Sequence, residues 1–143
     1  MKKIKYIIGL FCILATFSFT ACEPDTENDN DNLPTIDERE KFHGSWSCEE
    51  TANMTYTVNI VADTTSTTQM KLYNFHNLGF EEKVLGIVSG KTLSIPSQSI
   101  CQNTINITGT STMRNDETHI DFYYIYDDGV NRDTIQAVYT KQN

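Results

Sequence analysis

The stretch THIDFYYIY at residues 118–126 alternates apolar and polar side chains with a period of two residues. One face carries Ile120, Phe122 and Tyr124, and the other carries His119, Asp121 and Tyr123. Such alternation is typical of a β-strand that packs one face on a core and turns the other to water. The stretch therefore predicts a half-buried strand with an aromatic inner row.

The same alternation recurs along the chain and predicts about eight strands in about 98 residues. The segments are GSWSCEE, NMTYTVNIVA, QMKLYNF, EKVLGIVSG, KTLSIPSQ, CQNTINITGTST, THIDFYYIY and RDTIQAVYTK. Ser89-Gly90 and Asp128-Gly129 are typical of hairpin turns. No helical pattern is long enough for parallel crossover units. We predict an all-β fold, a small antiparallel up-and-down barrel, with a two-sheet sandwich as the alternative.

The N-terminal segment has the layout of a secretory signal peptide at residues 1–21. Three lysines precede an apolar run of about 14 residues, which is too short to cross a hydrocarbon core of ~30 Å. Residues 19–22, FTAC, resemble a bacterial lipobox. That resemblance implies cleavage before Cys22 and lipid attachment to its thiol, which would anchor the protein to a membrane.

Residues 22–34 form a predicted disordered tether, because five acidic residues and two prolines accompany a single aliphatic side chain. The tether does not match a calcium-binding EF-hand loop, which needs glycine at its sixth position: counting from Asp25 that residue is Asn30, and counting from Asp29 it is Pro34. The remaining 35–143 is the predicted barrel domain. A short helix, capped by Thr35 or Asp37 and ended by Gly44, is expected at its start.

The charge of the exported chain argues against nucleic acid as a partner. The full sequence has 11 basic and 19 acidic residues, and loss of the three signal-peptide lysines leaves 8 against 19, a net charge of −11. Binding to phosphates requires a basic surface. An acidic, exported module that is monomeric fits this composition.

The four cysteines divide by position. Cys12 leaves with the signal peptide and Cys22 takes the lipid, so Cys48 and Cys101 remain as an even pair in a compartment where disulfides persist. A bridge would close a loop of about 54 residues and stabilise the domain by ~4 kcal/mol in the chain-entropy model. The alternative is two free thiols that pack as small apolar side chains.

No motif predicts an enzyme, a metal site or a cofactor. The sequence lacks G-x-S-x-G, H-E-x-x-H and S-x-x-K, and His43, His76 and His119 have no ligand partner at metal-binding spacing. Adjacent carboxylates on a strand face opposite sides and form no dyad. If a ligand binds, Asp121 and Tyr123, opposite Phe122, are the predicted ligand face, and the interior is either filled or an open cavity.

The segment KFHGSWSCEE at residues 41–50 is similar to the G-x-W start of lipocalins and other calycins. In those barrels the tryptophan packs across the closed end, against a basic residue near the end of the last strand. The resemblance implies that Gly44, Trp46 and Lys141 close one end of the barrel.

More of the chain, about 100 residues, resembles small lipocalin-like lipoproteins of Bacteroidota. The matching pieces are the G-x-W strand, Tyr56 in Y-x-V-x-I, residues 74–98, GTST at 109–112 and VYTK at 138–141. The resemblance implies an outer-membrane lipoprotein on the cell surface or the periplasmic face. It also implies O-glycosylation at Asp-Thr patterns, here at Thr64 and Thr134, and it implies no particular activity.

The function expected from these observations is a non-catalytic binding or accessory module at the cell envelope, for a glycan, lipid or protein ligand. An envelope-anchored inhibitor of an enzyme is the alternative. An enzyme of unknown class is the third possibility.

Overall fold

The computed structural model describes residues 36–51 and 54–143. The predicted signal peptide (1–21), the lipid attachment at Cys22 and the acidic tether (22–34) lie outside the described residues. Within the described ranges, no helix has the length and apolar composition needed to span a membrane.

Eight antiparallel strands close into a barrel in chain order. They are β1 (Gly44–Glu50), β2 (Thr55–Ala62), β3 (Gln69–Tyr73), β4 (Lys83–Ser89), β5 (Thr92–Ile100), β6 (Ile105–Met113), β7 (His119–Asp127) and β8 (Arg132–Lys141). A one-turn 3₁₀ helix, Phe75–Asn77, interrupts the connection from β3 to β4. Each strand pairs with the next, and β8 pairs with β1. The predicted up-and-down barrel is confirmed, and the sandwich is excluded.

The barrel interior is filled by the apolar row of each strand. On β7, Ile120 and Tyr124 are completely buried, whereas Tyr123 is 50% exposed. The bulkiest fully buried side chain is that of Trp46, and Tyr139 is also completely buried. The period of two residues in the sequence therefore corresponds to alternation between the interior and the outer surface.

Two interior glycines make room for large side chains. A Cβ atom on Gly109 would lie 2.8 Å from the carbonyl oxygen of Tyr123 and 2.9 Å from Cα of Tyr124. A Cβ atom on Gly86 would lie 2.6 Å from Cδ2 of Leu93. The register of the β3–β4 pair is regular at Gly86. A register shift of the β-bulge type lies in β5, between Ile95 and Gln98, where Pro96 has no N–H to donate to a ladder.

The proximal end is the end of the barrel at which β1 starts and β8 finishes. Here the predicted short helix is wrong, because residues 38–42 form hydrogen-bonded turns. The Arg39 guanidinium donates to the Asp37 carboxylate, with Nη2 2.7 Å from Oδ2. It also donates to the carbonyl oxygens of Asp63 and Ser66. So short a helix is marginal in water, and these tertiary contacts hold the segment against the barrel instead.

The predicted disulfide is also corrected, because Cys48 and Cys101 are both free thiols. Cys48 points into the barrel from β1, between Tyr56 and Tyr139 on the neighbouring strands. Cys101 lies in the β5–β6 turn, with φ of 49°. Since β1 and β5 are four strands apart in an eight-stranded closed barrel, the two residues belong to opposite walls.

Candidate functional site

A groove of about 590 Å³ lies on the outer face of β1, β8 and β7. The register places Glu49 and Asp121 on either side of Val138, and Tyr123 beside Gln136. Because alternate residues share a face, these side chains all point outward and form one continuous lining. The structure therefore places the two predicted ligand-face residues, Asp121 and Tyr123, in the same groove.

Asp121 is held in a fixed orientation by a bidentate ion pair with Arg114. Arg114 Nη2 lies 2.5 Å from Oδ1, and Nε lies 2.8 Å from Oδ2. The hydrogen bonds from Arg114 lower the pKa of Asp121, so the carboxylate is ionised at neutral pH. Its charge is largely compensated, whereas Glu49 has an exposed side chain. The groove thus presents one compensated carboxylate, Asp121, and one carboxylate, Glu49, that forms no ion pair with any described residue.

The end of the groove near Glu50 is fixed by Thr51, which links the end of β1 to β8. The Thr51 N–H and hydroxyl donate to the Gln136 carbonyl at 3.0 and 2.8 Å. The Gln136 N–H donates to the Thr51 hydroxyl at 3.2 Å. These contacts use the Gln136 backbone, and its side chain is exposed. A flat aromatic ring, a carboxylate and an amide therefore lie side by side on paired strands.

A second group of polar side chains lies inside the barrel at its distal end, which is the end where β1 finishes. We call Glu50, Tyr56, His76 and Tyr124 the buried polar cluster. Glu50 is only 4% exposed, and its Oε1 accepts hydrogen bonds from the Tyr56 and Tyr124 hydroxyls. His76 Nδ1 lies 3.2 Å from the same oxygen and 2.7 Å from the Tyr124 hydroxyl. Three polar atoms from three other chain segments thus meet around one carboxylate oxygen.

Burial and hydrogen bonding oppose each other at Glu50. Burial alone would raise the pKa of Glu50, but hydrogen bonds from His76, Tyr124 and Tyr56 lower it. Burial raises the pKa of Tyr56 and of Tyr124 well above the usual range. The resting cluster is therefore an ionised carboxylate that accepts hydrogen bonds from two neutral phenols.

The connection from β3 to β4 brings His76 to the cluster. Asn74, His76 and Asn77 have left-handed φ values of 58°, 52° and 56°. The Asn74 side chain stabilises this shape, because it donates to the Thr57 carbonyl at 2.8 Å and accepts from the Gly79 N–H at 2.8 Å. Left-handed residues other than glycine cost ~1–3 kcal/mol each and persist where the surrounding structure holds them. Here they fold the connection over the distal end.

Two further polar side chains of the interior lie beside the cluster. The Tyr139 hydroxyl is completely buried and has no hydrogen-bond partner among the described residues. Burial raises its pKa most, and Cys48, Tyr124 and Glu50 raise it further. Burial also raises the pKa of the Cys48 thiol to about 12, so this thiol is unreactive at neutral pH.

At the proximal end the structure brings Gly44, Trp46 and Lys141 together. Lys141 Nζ lies 5.4 Å from the centroid of the Trp46 ring, within the range of a cation–π contact. The Trp46 indole N–H donates to the Phe42 carbonyl at 2.9 Å. Gly44 has φ of 129° and faces the Lys141 stem, so a Cβ atom there would lie 3.8 Å from Lys141 Cε.

The two predicted O-glycosylation residues are exposed on different elements. Thr64 lies in the β2–β3 turn and Thr134 on the outer face of β8. The residue before Thr64 is Asp63, and its carboxylate already has partners within the fold. It accepts a hydrogen bond from the Thr65 N–H at 2.9 Å and lies 3.1 Å from Lys71 Nζ. The Thr65 N–H and hydroxyl and the Lys71 ammonium lower the pKa of Asp63 to about 2.

Sequence reasoning missed the buried polar cluster. The alternation of β7 places Tyr124 in an inward aromatic row but does not indicate a polar partner for its hydroxyl. The missed signal was that Glu50 shares the inward face of β1 with Trp46 and Cys48, which places a carboxylate in a core. Metal-ligand spacing was no guide, because no three His, Cys, Asp or Glu side chains gather in the described ranges.

No protein-family model and no curated protein sequence matches the chain. Among solved structures, the chain is similar to a redesigned β-barrel, with a TM-score of 0.45 and 10% sequence identity. The match covers 74% of this chain and 96% of that barrel.

Proposed function

We propose that this protein is a non-catalytic glycan-binding module, and that the groove around Tyr123 is its binding site. The observation that supports this is the lining itself: a half-exposed tyrosine ring beside the Asp121 carboxylate and the Gln136 amide. An aromatic face packs against the apolar C–H face of a sugar ring, while planar polar groups pair with its hydroxyls. Binding of this kind requires no conformational change in the groove.

The charges of the groove favour neutral sugars over acidic ones. Asp121 is paired with Arg114, but Glu49 is exposed at the rim and pairs with no cation in the described part of the chain. An acidic glycan would be repelled, and the mature chain is acidic overall. A lipid ligand would require an apolar cavity, whereas the interior positions are filled by side chains.

We further propose that the protein is an outer-membrane lipoprotein of the Bacteroidota type, anchored through Cys22. The lipobox-like residues and the signal-peptide layout support this proposal. Substitution Cys22→Ala should release the protein from the membrane fraction of the producing cell, and continued membrane attachment of that variant would contradict it.

The inhibitor alternative is less well supported, because the longest connection between described strands folds back onto the barrel. Residues 74–82, the longest connection between described strands, fold back and are pinned by Asn74 to Thr57 and Gly79. A reactive loop needs an extended, accessible backbone. We therefore favour the groove as the functional surface.

The test is titration of neutral oligosaccharides into the purified protein, followed by calorimetry or by glycan-array binding. Tyr123→Ala should abolish or strongly weaken binding, because it removes the stacking face, and Gln136→Ala should weaken it. The matched control is Ile87→Ala, which truncates another exposed apolar side chain on the far wall. Binding that is unchanged by Tyr123→Ala, or absent for all neutral glycans, would refute the proposal.

A further inference from the structure

We propose that the barrel wall contains a lateral gate, which is the distal half of the seam between β4 and β5. The backbone register of this seam runs only from Ile87–Ser94 to Ser89–Thr92, near the proximal end. Beyond it, residues 83–86 of β4 and 95–100 of β5 have no register partner across the seam. By contrast, β7 pairs with β8 along its whole length. Because backbone ladders join the strands of a closed barrel, a section of seam without a ladder is where the wall separates most easily.

The side chain of Gln98 takes the place of the missing ladder. Its Oε1 accepts a hydrogen bond from the Leu85 N–H at 2.9 Å, and its Nε2 donates to the Leu85 carbonyl at 2.7 Å. A carboxamide offers the same kinds of donor and acceptor as a peptide group, so it satisfies both backbone groups of Leu85. The Val88 N–H donates to the Thr68 carbonyl, just before β3, and the alternation of an antiparallel strand therefore turns Leu85 towards β5. A single side chain on rotatable bonds thus holds this part of the wall together.

The sequence of β5 explains why the ladder stops. Pro96 has no N–H to donate, and the register of β5 against β6 shifts between Ile95 and Gln98. A strand that is irregular at its centre and lacks a donor there cannot continue a regular ladder with β4. The Gln98 Nε2 also donates to the Pro96 carbonyl at 3.2 Å, which orients the carboxamide. Nearer the distal end another side chain crosses the seam, because the Glu82 carboxylate accepts from the Cys101 N–H at 3.3 Å.

Opening of the gate requires only a local change. Rotation of the Gln98 side chain breaks both hydrogen bonds to Leu85, and water can then replace them. The β4 backbone stays paired with β3, and the β5 backbone stays paired with β6. A side chain changes rotamer far more readily than a ladder of backbone bonds separates, because the bonds of a ladder break cooperatively. The gate therefore opens while the rest of the barrel remains folded.

Apolar packing keeps the gate closed at rest. Behind it, Val84 of β4 and Ile100 of β5 face the interior and are 1% and 7% exposed, and contact of these side chains with water opposes opening. The open gate lets solvent reach them through the side of the barrel. In the closed barrel, β4 and β5 lie opposite β8 and β1. The motion therefore leaves the groove around Tyr123 undisturbed.

The test is amide hydrogen exchange of the purified full chain, followed residue by residue by NMR. In the wild type, the Leu85 amide should exchange faster than the amide of Gly86, which faces β3. Gln98→Ala should accelerate exchange at Leu85 by roughly tenfold, because two hydrogen bonds are lost. Gln98→Glu has nearly the same shape but, as a carboxylate, cannot donate to the Leu85 carbonyl, so it should also accelerate exchange there. The matched control is Gln69→Ala on the outer face of β3, which should leave exchange at Leu85 unchanged.

A second measurement separates a local gate from a general loss of stability. The Cys48 thiol is completely buried on β1, so its reaction with a maleimide reports unfolding of the whole barrel. In Gln98→Ala without denaturant, Cys48 should stay unmodified and the amides of β7 should exchange as in the wild type. Exchange at Leu85 as slow as at Gly86 in the wild type, or unchanged by Gln98→Ala, would overturn the proposal. So would acceleration at Leu85 that is accompanied by equal acceleration in β7 and by modification of Cys48.

Discussion

Gly109→Ala replaces one hydrogen by a methyl group, yet it should clearly lower the free energy of unfolding of the barrel. Gly109 pairs with Tyr124 of β7, and a Cβ atom there would lie 2.8 Å from the Tyr123 carbonyl oxygen and 2.9 Å from Tyr124 Cα. These are backbone atoms of a strand that is paired on both sides, so they cannot move away individually. The methyl group has to push β6 and β7 apart.

The magnitude follows from two opposing effects. Overpacking of a tight core costs ~1–3 kcal/mol, and a clash with backbone belongs at the upper end of that range. Replacement of glycine by alanine restricts the unfolded chain and returns ~0.4–1 kcal/mol. The net loss in the free energy of unfolding is about 2 kcal/mol. With a urea m-value of ~1–3 kcal/mol/M, the unfolding midpoint should fall by about 1 M.

Urea unfolding followed by tryptophan fluorescence measures this, because Trp46 is the single, fully buried tryptophan. Gly86→Ala is the matched control: its new Cβ atom would lie 2.6 Å from Leu93 Cδ2, the far end of a flexible side chain that can rotate. It should cost ~1 kcal/mol or less. A Gly109→Ala protein as stable as the wild type, or less perturbed than Gly86→Ala, would refute the reasoning.

Two further predictions concern charge and thiols. The pKa of Asp63 is lowered to about 2 in the fold, below its value of ~3.9 in the unfolded chain. The ionised carboxylate therefore stabilises the fold fully above the unfolded pKa, and this stabilisation is lost as the pH falls from about 4 to about 2. Asp63→Asn should therefore be less stable than the wild type at neutral pH, and urea midpoints measured down to about pH 2 should converge. For the thiols, a maleimide should modify the half-buried Cys101 first, and Cys48 only on unfolding. Peptide mapping that finds Cys48 joined to Cys101 would contradict the structure.

The barrel was predictable because its main signal is local. Alternation along each strand is contained in a few consecutive residues and places Asp121 and Tyr123 outward without knowledge of the register. The short helix was wrong because residues 38–42 are shaped by a distant partner, since Arg39 reaches the carbonyls of Asp63 and Ser66. The disulfide was wrong because cysteine parity carries no information about which walls of a barrel the residues occupy.

The buried polar cluster was not predictable in the same way, because it depends on long-range placement. Glu50 and Tyr124 are 74 positions apart in the chain. His76 reaches them only through a connection in which asparagine and histidine adopt left-handed φ values. Sequence patterns anticipate such values at glycine far more readily than at histidine. An inward-facing glutamate was the one local signal available.

The pairing of β1 with β8 has a consequence for how the chain reaches its native state. Trp46 and Lys141 are register partners, so the seam joins residues about 95 positions apart. A chain that is still being synthesised and lacks β8 exposes two unpaired strand edges, those of β1 and β7, to its neighbours. The ten residues of β8 therefore close the barrel. Until they pair with β1 and β7, the chain can associate with other chains through its open edges.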